Sequence, residues 1–423
     1  MLSSIIIGFK MKKVIRTLFL GVLFLHFNIS SSYSEENKVG TEWNQFRGHD
    51  RSGIVTNTNH PEKWDEDGLT LLWKIETGDS FSEVAVSNGR AYVMTSEQTD
   101  SVSGYEQILA LDAATGEKIW KQTISSLFID EDEWGHGSRS TPVIDKTKVY
   151  TFSGTGKLTA LSIETGEIIW QRDFISEFGS ELPRWGYSSS PLLVENGVVM
   201  EIGGTDNRAL GMFCKDTGEL IWAKGEGPAG YISPVPAIIN GQKSILYING
   251  ETLYSFDTKG NILWTCEVPV PGPMAVPVVI EHNRIFISAI RRIGYCIIEV
   301  NDNEPEIILT GTNMKNDYSS SVYHNGYIYG FNIAALVCID ATTGERKWVR
   351  RGFGKGSLII IEDKLVIFSD TGTLVYAHAT PEGFQEISSF EALDGRCWTA
   401  PSYTDGRLYV RNLTHVACYS FKN

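Results

Sequence analysis

The sequence lacks most of what a familiar enzyme would need. No G-x-x-x-x-G-K-[ST] phosphate loop and no H-E-x-x-H metal helix occurs, so phosphate-loop and zincin chemistry have no residues to run on. His136, His324 and His415 have no serine or cysteine partner in a recognisable nucleophile motif. There are only six cysteines, and none stand in a C-x-x-C spacing, which argues against structural zinc and a thioredoxin-like site. Positive charge is scarce: 37 Lys and Arg face 51 Asp and Glu, a net charge of −14. The excess is spread without long runs of one sign, and an acidic surface disfavours nucleic acid and anionic lipid as partners.

Long apolar runs are confined to the beginning. Met11-Lys12-Lys13 and Arg16 form a basic segment, Leu18–Phe27 an apolar one, and Ser30–Ser34 supplies small residues. This order predicts a signal peptide over residues 1–34, with Met11 as an alternative start. The apolar run is short for a bilayer span, so no stable membrane anchor is expected after cleavage. Residues 1–34 carry four basic and no acidic groups, so 37 less 4 leaves 33 basic against 51 acidic residues beyond them.

What the chain does have is a repeat. Leu109–Trp120 (LALDAATGEKIW) returns as Ala160–Trp170, Met212–Trp222, Leu253–Trp264 and Leu336–Trp348. Each copy is an apolar run, a turn carrying Thr-Gly or Lys-Gly, and a second apolar run ending on Trp, which reads as a β-hairpin. Between copies lies a second pair of short apolar segments, as in Thr141–Phe152, Ser190–Ile202, Val276–Ile287, Ser321–Tyr329 and Ala400–Val410. Four strands per repeat make one propeller blade. The outer-strand positions are Trp73, Trp120, Trp170, Trp222, Trp264, Ile308, Trp348 and Ile387, spaced by 39 to 52 residues. That interval is the one expected of blades. The fold expected is therefore all-β: an eight-bladed β-propeller of four-stranded antiparallel blades over residues 69–423. Leu71–Glu76 has no blade before it and Thr414–Phe421 no outer strand after it, so these two ends should pair and close the ring. Residues 35–68, with Trp43 and Phe46 as anchors, read as an arm packing on the ring.

The cysteines read as small buried hydrophobes. Cys214, Cys338 and Cys418 fall at what reads as one repeat position, and Cys266, Cys296 and Cys397 lie in or beside strands. All six are expected to be reduced thiols.

The loops that feed each innermost strand carry the unusual residues: Glu133–Arg139 (EWGHGSR), Leu182–Ser188 (LPRWGYS), Ala229–Tyr231, Lys315–Ser319 (KNDYS) and Gly395–Trp398 (GRCW). In a propeller these loops converge on one mouth of the central channel. Trp134, His136, Arg139, Arg184, Trp185, Tyr187 and Trp398 are the candidate binding residues there, because Trp, Tyr and Arg dominate recognition surfaces. Capping of the core between blades is an equal reading for the tryptophans. Salt bridges from Arg139 to Glu133 and from Arg184 to Glu181 are the alternative for the arginines.

The ALDAATGEKIW-type repeat, the Trp43–Gly48 segment (WNQFRG) and PRWGYSSSP over 183–191 together resemble the pyrroloquinoline-quinone-like β-propeller repeat superfamily, in its secreted branch related to BamB. The resemblance covers about residues 41–423. It implies the propeller and a role as a non-enzymatic, monomeric protein-binding or assembly scaffold in the periplasm or cell envelope, with an envelope protein as partner. Two alternatives stay open: a quinone (PQQ)-dependent dehydrogenase with a divergent site, or a propeller that binds or cleaves a glycan. The quinoprotein alcohol dehydrogenases of the superfamily carry a disulfide of adjacent cysteines, a tryptophan floor and Glu, Asn and Asp ligands to calcium. This sequence has no Cys-Cys pair and no W-G-x-x-x-W-D insertion, and its loop acids Asp130, Glu131, Asp132, Glu133 and Asp317 are scattered. No catalytic residue, cofactor or metal is therefore expected.

Overall fold

The computed structural model describes residues 42–291 and 293–421; the expected signal peptide lies outside the described residues. The strands form eight sheets, each built on four antiparallel strands; these are consecutive in all but the last, and one sheet carries a fifth, parallel strand. Blade one runs from Ala85–Ser87 through Arg90–Asp100 and Ser103–Asp112 to Lys118–Ser126. Blades two to seven span 143–173, 192–224, 235–267, 278–311, 322–351 and 357–391. Blade eight joins the two ends of the chain: Thr70–Glu76 pairs antiparallel with His415–Ser420, from Thr70 opposite Ser420 to Glu76 opposite His415. That is the closure read from the sequence. One short helix, Phe174–Phe178, is present among the described residues; its N–H groups are capped by the Asp173 carboxylate.

Burial follows position in the blade. Lys364–Phe368, a second strand, is buried throughout, because neighbouring blades cover both its faces. The outer strand Glu304–Gly311 alternates exposed and half-buried residues. Blades are joined by a repeated lock. The outer-strand Trp of one blade lies against the turn glycine of the next and donates its indole N–H to a carbonyl beside that turn: Trp73 to Ala113, Trp120 to Ile163, and Trp170 to Lys215. Gly116, Gly166 and Gly218 have φ of 73°, 74° and 69°, and a Cβ there would stand 2.8, 2.6 and 2.6 Å from the indole. Glycine is thus required twice over, for the turn and for the ring that rests on it.

The register refines two positions. Each outer strand bulges one residue before the Trp position, so that Trp120 faces Ala110 and Lys118 faces Leu111. In blades five and seven the same bulge leaves out Ile308 and Ile387, and the equivalents of Trp120 are Leu309 and Ser388. Blade seven compensates for its missing indole. Tyr376 fills the third-strand position opposite Ser388, and Trp64 from the arm stacks on it at 5.0 Å and 15°. The three cysteines read as one repeat position do not all share it. Cys338 and Cys418 face Trp348 and Trp73, but Met212 holds that place opposite Trp222. Cys214 lies two residues further on. All six cysteines are free thiols.

Residues 43–55 fill the axis. Trp43 bridges to Val86 in blade one, and the Ile144 N–H of blade two donates to the Asn44 carbonyl at 2.9 Å. Arg51 reaches the carbonyls of Ser190 and Pro191 before blade three and of Pro234 before blade four. Arg47 reaches those of Ser320 and Ser321 before blade six. Ile54–Val55 adds a parallel strand to the first strand of blade seven. So short a segment can touch six blades only where they converge. Both arginines are buried, and burial holds them down to about 10 for Arg47 and about 9 for Arg51. Around this axle runs a belt of hydroxyls: Thr141 accepts from Glu83 N–H, Ser190 from Thr141, Ser233 from Ser190, and Ser320 from Val276.

Arg51→Met keeps the stem but leaves three buried carbonyls unpaired. It is expected to lower the unfolding free energy in urea by about 3–5 kcal/mol. An unchanged midpoint would mean that water already satisfies those groups.

Candidate functional site

The loops feeding the first strands meet at one end of the axis, around a cavity of about 380 Å³. All eight blades contribute to its wall. Phe81 and Glu83 come from before blade one, Asp130, Trp134, Arg139 and Thr141 from before blade two, and Trp185 and Ser188 from before blade three. Tyr231 and Ser233, Met274 and Val276, Asp317–Ser320, Lys355, and Trp398 with Thr399 complete the circle. Phe46 and Arg47 of the arm also line it, so the axle forms the floor.

Four of the seven residues singled out from the sequence line this cavity: Trp134, Arg139, Trp185 and Trp398. Trp134 is 46% exposed, and its ring lies 5.5 Å from that of Trp398. Trp398 also meets Tyr318 at 5.2 Å and Phe81 at 5.9 Å, with the Arg396 guanidinium 4.8 Å above it. On the far wall Trp185 packs 5.3 Å from Tyr231 and donates its indole N–H to Asp132. Arg139 is held beneath the rim. It bonds Asp130 at 3.0 Å and the carbonyls of Gly135 and Gly137, and lies over the rings of Phe81 and Phe128. Its side chain is 12% exposed and that of Asp130 1%.

The other three stand elsewhere. The His136 ring accepts the Asp130 N–H at 3.1 Å and so braces its own loop. Arg184 is 72% exposed on the rim, bonded to Asp132 and lying over Trp185. Tyr187 is fully buried, 5.1 Å from Phe152, with its hydroxyl donating to the Glu181 carbonyl. Gly186, at φ 72°, turns the chain between Trp185 and Tyr187, so one ring faces the mouth and the other the core. The acids that pair with the two arginines are Asp130 and Asp132, not Glu133 and Glu181.

Glu83 escapes sequence reasoning, although the repeat carries a signal for it. Glu83, Thr141, Ser190, Ser233 and Ser320 hold the same place in the hydroxyl belt, and only Glu83 is a carboxylate. Its Oε2 accepts the Trp43 indole N–H at 3.1 Å and the Arg47 N–H at 2.7 Å. Burial pushes the group up to about 7, against the pull of Arg47 and Arg51.

A quinone with calcium is the cofactor this fold class brings to mind, and the residues present do not fit it. Asp130 is tied to Arg139, Asp132 to Arg184, and Asp317 to Lys355 at 2.7 Å. No group of three His, Cys, Asp or Glu side chains converges as a metal site among the described residues, whereas calcium needs several convergent oxygens. Cys397 is buried and outside the cavity wall.

A second buried carboxyl gives a test of the electrostatics away from the mouth. Glu201 accepts from the Tyr247 hydroxyl and the Gly230 N–H through Oε1, while Oε2 has no partner among the described residues. Burial pushes it up to about 7. A carboxyl raised in the folded state adds stability that is complete below its unfolded value and lost as pH rises through 7. For Glu201 this is about 3 kcal/mol, and Glu83 acts in the same direction. The melting temperature should therefore fall between pH 5 and pH 8, and Glu201→Gln should fall less. Parallel pH profiles would refute the assignment.

The fold has wide parallels. Quinohemoprotein alcohol dehydrogenase from Comamonas testosteroni superposes with a TM-score of 0.64 at 12% identity, covering 90% of this chain and 81% of that one. BamB from Moraxella catarrhalis gives 0.59 at 15% identity, with 84% and 98% covered. Sqt1 from Saccharomyces cerevisiae gives 0.59 at 10% identity, with 85% and 100% covered. At these identities the likeness concerns the fold. No curated protein matches the sequence. The family profile described as "Outer membrane protein assembly factor BamB" matches residues 50–200 and 104–383. With most of its blades inside those matches and its repeat that of a pyrroloquinoline-quinone-like propeller, the chain belongs to the BamB family.

Proposed function

We propose that the protein is a non-catalytic assembly scaffold of the cell envelope, whose channel mouth receives a protruding segment of a protein partner. The observation that carries this reading is the chemistry of the mouth. Five large aromatic side chains, Trp134, Trp185, Tyr231, Tyr318 and Trp398, surround a cavity whose wall acids Asp130 and Asp317 are already spent on ion pairs. Rigid aromatic rings around a concave centre suit a binding hot spot. The axle beneath them occupies the axis, which leaves the mouth as a closed-ended socket. The family's description as an assembly factor supports a protein partner and an envelope location. No helix among the described residues is long and apolar enough to cross a membrane.

Trp134→Ala with Trp398→Ala should leave the melting temperature within a few degrees of wild type while abolishing capture of the partner from envelope extract. Capture at wild-type level by the folded double variant would remove the mouth from the account. Alcohol oxidation should stay undetectable when quinone and calcium are supplied; turnover would favour the dehydrogenase reading. The arginines should behave differently from each other. Arg139→Ala leaves Asp130 buried without its cation and should cost about 3–5 kcal/mol in urea unfolding. Arg184→Ala, on the exposed rim, should leave the unfolding midpoint unchanged. Equal effects would mean that burial does not decide their roles.

A further inference from the structure

Glu83 is the one acid in the cavity wall with no ion pair among the described residues. Its backbone does what the belt requires by donating to Thr141 at 2.9 Å. A serine or threonine serves at the same place in blades two, three, four and six, so the belt itself does not call for a carboxylate. The residue is 4% exposed. Oε2 is occupied by Trp43 and Arg47, whereas Oε1 receives no hydrogen bond among the described residues and belongs to a side chain that lines the cavity.

The neighbouring cations are committed elsewhere. Arg47 donates to the carbonyls of Arg51, Ser52, Ser320 and Ser321. Arg51 donates to Gln45, Ser190, Pro191 and Pro234. Arg139 faces Asp130 from the loop before blade two, and Lys355 faces Asp317 between blades six and seven. The cavity wall also holds Phe81, Tyr318 and Trp398, whose faces favour a cation and an alkyl stem alike; Arg139 lies over Phe81 at 5.3 Å, Lys355 over Tyr318 and Trp398 at 6.0 Å, and Arg396 over Trp398 at 4.8 Å.

We propose that Glu83 seats a cationic side chain, a lysine or arginine at the tip of the partner's segment, with its charged head on Oε1 and its stem along Trp398 and Tyr318. This rests on the reading of the mouth as the partner-binding face. The acidity of the whole chain, net −14, favours approach of a basic segment. Burial raises Glu83 to about 7 although Arg47 and Arg51 both act on it. The charged form is therefore undersupplied, and a cation delivered directly to Oε1 would restore it. Binding should weaken as pH falls and the carboxyl takes up its proton.

The test uses the full chain with two probes, Nα-acetyl-lysine amide and its neutral isostere Nα-acetyl-norleucine amide, followed by saturation-transfer NMR. The lysine probe should bind saturably and about tenfold more tightly than the norleucine probe at pH 8, with that preference lost at pH 5.5. Glu83→Gln, checked for an unchanged melting temperature, should bind both probes equally at either pH. Equal binding of the two probes to wild type, or no saturable binding of the lysine probe, overturns the seat. The pH series on wild type decides the matter if the variant folds poorly. If the Trp134/Trp398 double variant loses its partner while the probes fail to discriminate, the mouth stands and the seat falls. If the probes discriminate but Glu83→Gln captures the partner normally, the seat is not a partner's.

Discussion

A ring of blades meets at an axis where backbone carbonyls face one another across a narrow space, and those groups have to be satisfied. Arg47 and Arg51 do this here. Between them they bond carbonyls before blades three, four and six, while Trp43, Asn44 and Ile54–Val55 engage blades one, two and seven. Guanidinium suits the task because its planar set of donors serves several acceptors at once and keeps its charge when buried. Both residues sit at positive φ, 58° and 63°, a conformation that is uncommon for arginine and persists only where the surroundings hold it. The site depends on this axle, since its outer surface is the floor of the mouth and its indole and backbone N–H groups hold Glu83.

The rest of the ring is a set of local solutions repeated. Trp73, Trp120, Trp170 and Trp222 each rest on the glycine of the following turn, so at these joints one blade is completed by its neighbour. In blade seven, where the Trp is missing, Trp64 of the arm stacks on Tyr376 instead. The last of these joints is covalently the most distant. Thr70–Glu76 closes blade eight with strands from the other end of the sequence, and this removes the open radial edge that a linear array would carry.

Blade number, strand order and closure were legible in the sequence because hairpins carrying, in most copies, a turn glycine and a Trp recur every 39 to 52 residues. The Trp positions of blades five and seven slipped by one residue, because a bulge that adds a residue to one strand leaves no mark on hydrophobic spacing; Cys214 was set level with Cys338 although it stands two residues nearer its Trp. At the mouth the sequence found the loops and four of their lining residues. It misplaced Tyr187, because a single glycine turn decides which of two adjacent aromatic rings faces the core. The role of Arg47 was hidden for a different reason. Its partners Ser320 and Ser321 lie 273 and 274 residues away, and no local pattern encodes such a contact. Glu83 was hidden by the opposite effect, since it stands inside the repeat and differs from its equivalents only in its side chain.

The central claim is that the mouth, and no other face, meets the partner. Exposed aliphatic residues also stand on the outer strands, among them Ile119, Ile169 and Ile221, and they form the natural rival surface. The most direct measurement is photocrosslinking in intact cells, with p-benzoylphenylalanine placed in turn at Trp134 and at Ile169. The account predicts a discrete adduct from position 134, the same adduct from Tyr318, and none from position 169. Adducts from position 169 with none from the mouth would contradict it.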